Sequence, residues 1–234
     1  MKNILWKDNS IMYKIKLKNV FKHLKTVTKH RYYVCKYCFK FGLYWQGIIH
    51  DLSKFSPTEF IPSVKYFQGT RSPIDAEKED KGYSMAWLHH KSRNKHHFWF
   101  WVDWNSKQCQ YPVRMPLKYV YEMIADTVAA GKVYSKNAGK EWKQSDPYEY
   151  YKAHNRDAEN GIEFMEFCTK AVLDNIYVDI KEYGLDKVAE MIRCGHYEKF
   201  YNNIRTEDGK EILEWLPEYN NLVIKYYMED TNGN

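Results

Sequence analysis

His50 and Asp51 are adjacent, and Lys54 follows three residues after Asp51. An imidazole nitrogen and a carboxylate oxygen offered side by side suit a borderline divalent metal such as Zn²⁺, Fe²⁺ or Mn²⁺, which accepts mixed nitrogen and oxygen donors. A lone His-Asp pair arises often by chance. This one gains weight from further donors along the chain: His30, the cluster His89, His90, His96 and His97, and Asp126. Together they read as the ligand set of a metal-dependent hydrolase.

Such residues act only if the chain gathers them. From about Val20 to Phe41 apolar residues recur at helical spacing (Leu24, Val27, Val34, Tyr37 or Cys38, Phe41), and His30 falls on the same stripe. His30 is therefore expected to face the core. A continuous helix would hold His30 and His50 about 30 Å apart. The chain must turn between them, and Gly42 and Gly47 offer the places.

Segment 52–83, with Pro57, Pro62, Gly69, Pro73 and Gly82, reads as a loop-rich connection. It holds one short helix around Glu59–Phe67, and loops of this length often act as lids or substrate-binding elements. Helical patterning resumes over Tyr83–Trp101, followed by an irregular patch from Asp103 to Pro116 and a helix from Leu117 to Lys132 stopped by Gly131. Further helices are expected over Pro147–Tyr177 and Leu185–His196, with a short one near Glu211–Trp215.

On a helix through 83–101, His90, Asn94 and His97 share one face, and His89, Arg93 and His96 a neighbouring one. Imidazoles seven residues apart lie about 10 Å from each other along a helix. One of His89 and His90 and one of His96 and His97 are thus expected at the site.

A hydrophobic content of 44% over 234 residues is enough for one sizeable core, and the low numbers of Gly (11) and Pro (7) favour helices over a turn-rich β-sandwich. The expectation is an all-α single domain over 1–234, with a core at about 20–135 and a helical extension at about 136–234. Five scattered cysteines (35, 38, 109, 168 and 194) indicate free thiols in a reducing cytoplasm. Cys35 and Cys38 lie on an apolar helix face with no second pair, so they are expected to pack. No stretch approaches the roughly 20 apolar residues of a membrane span, and no leader-like apolar run follows Met1. Part of the net charge of +6 comes from Lys14, Lys16, Lys18, Lys22, Lys25 and Lys29. A solvated helix face explains them better than a nucleic-acid surface, which remains the weakest reading.

His30, His50-Asp51 and Asp126, each on its own helix, resemble the ligands of the HD-domain superfamily of metal-dependent phosphohydrolases. His50-Asp51-Leu52-Ser53-Lys54 follows the HDxxK form, and Ala125-Asp126-Thr127-Val128-Ala129 is similar to the helix around the last ligand of that superfamily. The run from His89 to His97 resembles the extra histidines by which some HD enzymes hold a second metal. Its HH-x3-N-x-HH pattern also resembles an uncharacterised family of small bacterial and phage proteins. The resemblance covers roughly residues 20–135.

It implies an HD-domain-like helical bundle holding one or two divalent transition-metal ions (Mn, Fe, Zn, Co or Ni). His30, His50, Asp51 and Asp126 would bind one ion, the middle histidines a second, and Asp51 would then bridge them. Lys54 would reach the substrate phosphate, with Arg93 or Lys91 as helpers and Asn94 orienting substrate or water. Trp87, Trp99, Phe100 and Trp101 flank the cluster, with core packing their first expected role and nucleobase stacking the second. The expected activity is hydrolysis of a small phosphorylated molecule, foremost a nucleotide, by a metal-bound hydroxide. Two rivals are a non-catalytic metal- and nucleotide-binding HD-like module and a di-iron HD-type oxygenase. His154 and His196 have no evident partners and are taken as structural. The oligomeric state is left open.

Overall fold

A computed structural model of the chain describes residues 15–105, 109–154 and 165–203. The helix expected near Glu211–Trp215 and Lys14 lie outside those residues. The described chain is mostly helical, and its described residues divide into two compact units: those within 15–100 and 121–143, and those within 101–120 and 144–203.

The first unit begins with α1 (Leu17–Lys40), which buries His23, Val27, His30, Val34, Tyr37 and Cys38 along one face. His30 faces inward as its spacing predicts, but Leu24 does not. It is exposed, and His23 occupies the buried position one residue earlier. A positive φ of 80° at Gly42 turns the chain, and Leu43 N–H caps the Cys38 carbonyl. Helix α2 (Tyr44–Ile49) then lies against α1. The close approach needs Gly47, because a Cβ there would sit 3.0 Å from Cys38 Cβ and 3.2 Å from Cys35 Cα. The cysteine pair is thus a packing surface.

The 52–83 segment is more ordered than expected. After a 3₁₀ turn at Leu52–Phe55 come α3 (Pro57–Lys65) and α4 (Pro73–Lys81), each started by a proline in its first turn. Proline there reads as a loop signal in sequence yet suits a helix start. Helix α5 (Met85–Lys91) is capped by Ser84, whose Oγ accepts from Trp87 N–H. It ends well short of Trp101. Asn94 marks the early stop: its side-chain amide donates to the His90 carbonyl, beside its own backbone N–H, and to Ser53 Oγ.

Helix α6 (Leu117–Asn137), which belongs to this unit from Tyr121 on, runs past Gly131 rather than stopping there. One interior glycine costs only about 1 kcal/mol, which burial of Ile124, Ala125, Val128 and Val133 outweighs.

In the second unit the patch expected to be irregular forms an antiparallel ribbon, β1 (Val102–Asn105) with β2 (Cys109–Pro112), in register Val102↔Pro112. Four helices follow: α7 (Asp146–His154), α8 (Phe167–Tyr183), α9 (Leu185–Arg193) and α10 (His196–Asn203). Two separate helices, α7 and α8, thus replace the single one expected over Pro147–Tyr177. The core of this unit is α8, where Val172, Leu173, Ile176 and Ile180 are buried and Tyr177 stacks on Tyr151. Among the described residues no helix is long and apolar enough to cross a membrane.

Candidate metal centre

The site lies wholly within the first unit and is organised by a backbone irregularity. Consecutive helical residues point about 100° apart, so His50 and Asp51 could not converge if α2 simply continued. It ends at Ile49, and Asp51 adopts φ 53°, ψ 29°, the one non-glycine positive φ among the described residues. Aspartate tolerates this left-handed conformation better than most side chains. The turn swings both groups toward α1 and α6. Arg31 on α1 braces it, donating to the carbonyls of Ile48 and His50 at 2.8 and 2.7 Å.

Among the described residues three ligand groups result; two of them share Asp51, and the third is His50, His96 and Glu122. In one of the two that share it, His30, His50, Asp51 and Asp126 offer atoms that all lie within 4.8 Å of one another. His50 Nε2 is 3.2 Å from Asp51 Oδ2 and 3.5 Å from Asp126 Oδ1, and His30 Nε2 is 3.8 and 2.9 Å from the same two oxygens. In the other, Asp51 joins His90, His96 and His97. There the opposite oxygen of Asp51, Oδ1, is 3.3 Å from His90 Nε2 and 3.5 Å from His96 Nε2. Ligands about 2.1 Å from a tetrahedral ion sit roughly 3.4 Å from each other. Most of these separations match that spacing and exceed an ordinary hydrogen bond.

The polar accounting points the same way. Nε2 of His50, His96 and His97 and Oδ1 of Asp51 are buried and make no hydrogen bond. A buried polar atom left unpaired costs roughly 1–3 kcal/mol, so four converging ones mark a place built for something else. These groups could hold a metal ion.

The far side of three of the rings is, by contrast, engaged by carboxylates. His50 Nδ1–H donates to Glu122 Oε1 at 2.9 Å, and His96 Nδ1 lies 3.2 Å from the same oxygen. His90 Nδ1–H donates to Glu59 Oε2 at 2.8 Å. Such contacts set which nitrogen faces a metal.

Charge is distributed accordingly. Burial opposes ionisation of Asp51, but His50, Lys54 and His90 outweigh it and hold the carboxyl well below its usual range. Burial likewise opposes charge on His50, yet Asp51, Asp126 and Glu122 raise it well above the ordinary imidazole. His30 is lowered by burial and by Lys54, and His97 by burial and by His96 and His90. Lys54 Nζ sits 2.5 Å from Asp51 Oδ2, and its side chain is 26% exposed. Asp51 keeps its ammonium charged despite burial.

Several expectations need correction. His89 belongs to neither group. It turns to Glu59 Oε1 at 2.6 Å, and both His96 and His97 accompany His90 instead. Helical spacing does not govern His96 and His97, because α5 ends at Lys91. The following turns fold the chain back until the His90 and His97 rings are 4.8 Å apart, where a helix would hold them about 10 Å apart. Arg93 is exposed, with Nη1 near the His89 carbonyl and Ser92 Oγ. Lys91 lies over the Trp99 ring. The Asn94 amide is committed to Ser53 and the His90 backbone. Trp87, Trp99, Phe100 and Trp101 are half-buried, and Trp87 packs edge-on against His97. Outside the site, His196 is exposed.

Sequence reasoning missed Glu122 and Glu59. Glu122 lies one helical turn before Asp126 on the same face, a spacing that could have revealed it. Glu59 carries no comparable mark.

A family model described as a family of unknown function, DUF5662, matches residues 19–178, which include every residue of the cluster. The chain belongs to that family. No curated protein and no solved structure matches the chain. For this DUF5662 member, any functional conclusion therefore rests on the geometry of the site.

Proposed function

We propose that this DUF5662 protein is a metal-dependent phosphohydrolase of HD-domain type, acting on a small phosphorylated substrate, with a nucleotide as the leading class. One observation carries the reading: both oxygens of a buried aspartate face separate histidine groups whose Nε2 atoms include three without a hydrogen bond. The donor set of imidazoles and carboxylates suits Mn, Fe, Zn, Co or Ni. His30, His50, Asp51 and Asp126 would hold one ion, and Asp51, His90, His96 and His97 the other. When bound, such ions supply a water of lowered pKa and positive charge opposite the phosphoryl oxygens.

The protein groups do the rest. Lys54 is a charged ammonium at the partly open edge of the cluster, suited to offset charge on a phosphoryl oxygen. Its bond to Asp51 fixes where that charge sits. Glu59 and Glu122 orient imidazoles, and Asn94 and Ser53 hold the turn between His90 and His96. Arg93 takes no part in this reading.

The test pairs elemental analysis with turnover on protein purified without chelator or metal-affinity resin. One or two equivalents of transition metal, lost in a His50→Ala/Asp51→Ala double variant, with phosphate release from nucleotides in Mn²⁺ or Co²⁺, is the expected result. Metal without phosphate release but with oxygen consumption by the iron-loaded protein would favour a di-iron oxygenase. Nucleotide binding without turnover would favour a sensing module. No metal in either protein, even after reconstitution, would sink all three.

A further inference from the structure

The two ligand groups are joined at a second point besides Asp51. Glu122 is buried, 5% exposed, and a single oxygen of its carboxylate meets Nδ1 of His50 and Nδ1 of His96. The two rings lie 4.4 Å apart, and each belongs to a different group. A neutral imidazole whose Nδ1–H is held by a carboxylate presents Nε2 as its lone pair, the form that binds a metal. Here one oxygen imposes that choice on a histidine of each group. The other carboxylate behind the rings, Glu59, reaches His90 in one group and His89, which is in neither. The two supports therefore differ in reach: Glu59 serves one side and Glu122 serves both.

We propose that Glu122 is a positioning residue that couples the two metal sites, fixing the tautomer of one histidine in each through a shared carboxylate oxygen. This rests on the two-ion reading above. Both imidazoles become stronger donors to Glu122 when their Nε2 atoms carry a cation, so loss of its charge weakens both sites at once. Carboxylates behind metal-bound histidines are typically worth 10–100-fold in metal affinity.

The test titrates the chelator-stripped full chain with Zn²⁺ against a chromophoric competing chelator, which reads stoichiometry and stepwise affinity without turnover. Wild type, Glu122→Gln and Glu59→Gln are compared, with far-UV circular dichroism as the check of folding. The expected result is two equivalents in the wild type, both steps weakened roughly tenfold or more in E122Q, and one step weakened in E59Q. Weakening of a single step in E122Q, or of neither, would overturn the coupling while leaving the two-ion centre intact. A third equivalent in the wild type that disappears in E122Q would also overturn it, since Glu122 and the two Nδ1 atoms would then be ligands themselves. Fewer than two equivalents in the wild type would remove the two-ion centre and the coupling with it. If E122Q does not fold, long-range proton–nitrogen correlations on the zinc-loaded wild type decide. Nδ1–H on both His50 and His96 supports the proposal, and Nε2–H on either ring overturns it.

Discussion

Both units of this molecule bury polar side chains, and they treat them in opposite ways. In the second unit the Tyr197 hydroxyl donates to Asp179, the Tyr201 hydroxyl to the Met115 carbonyl, Met115 N–H to Thr169, and the Asn175 amide to the Ala171 carbonyl. Buried polarity there closes on itself and acts as structure. In the first unit the buried polar atoms around Asp51 converge on one another at distances that few hydrogen bonds fill. The side chains behind them are meanwhile satisfied. Polar groups are paired in one unit, while the front of a histidine cluster is left unpaired in the other, and that contrast singles out the cluster as one that could hold a metal ion.

The sharpest way to break this contrast is Asp51→Asn. Asparagine accepts the left-handed backbone at 51, so the turn should survive while the charge shared by both groups disappears. The expected outcome is loss of both ions by elemental analysis. Phosphate release should fall by roughly 10³-fold, which corresponds to the several kcal/mol that a catalytic ion supplies. Full metal retention in D51N would remove Asp51 from the centre.

His23 tests the same unit by pH. It is buried between Phe60 and Phe67, and burial, with Lys54 nearby, lowers its pKa from 6.5 to about 4. A histidine lowered on folding binds fewer protons when folded than when unfolded. Its contribution is complete above pH 6.5 and is lost as pH falls through about 4. The shift corresponds to roughly 3 kcal/mol. Denaturant unfolding of metal-free protein should show wild type losing about that much more than His23→Leu between pH 7 and pH 4. Parallel stability curves for the two proteins would refute it.

These variants probe positions of unequal visibility in the sequence. His30 and Asp126 were readable because they lie on long helices with clear apolar stripes, His50 and Asp51 because they are adjacent, and Gly42 announced the turn between His30 and His50. The all-α class followed from the same periodicity. The second histidine group was readable in type but not in arrangement. His96 and His97 reach the site through turns after α5, and turn geometry depends on contacts such as Asn94 with Ser53, 41 residues away. The stripe on α1 pointed to Leu24 because helical spacing resolves a face only to within one residue, and burial of His23 is settled by Phe60 and Phe67 on and beyond α3. The ribbon at 102–112 and helix α4 were hidden by signals that serve loops and element starts alike.

Smaller effects belong to the other side of the comparison. Tyr197→Phe removes the donor to a buried Asp179 and should cost about 2 kcal/mol, a fall of several degrees in melting temperature. Metal stoichiometry should not change. A loss of metal in Y197F would mean that the polar network of the second unit supports the centre, and the contrast between the units would fail.

The smallest effect expected is that of Arg93→Ala. By residue type and position Arg93 is a natural phosphate ligand, amid four histidines. It is exposed, and its guanidinium rests on the His89 carbonyl and Ser92, where a solvated side chain is worth within about 0.5 kcal/mol. Stability, metal content and KM should all match the wild type. Lys54→Ala provides the contrast, because that ammonium is paired with Asp51 and held charged beside the ligands. Its loss should raise KM for a phosphorylated substrate while R93A leaves it alone. If R93A raised KM instead, the phosphate would approach from the α5 side, and Lys54 would be left as a partner of Asp51 alone.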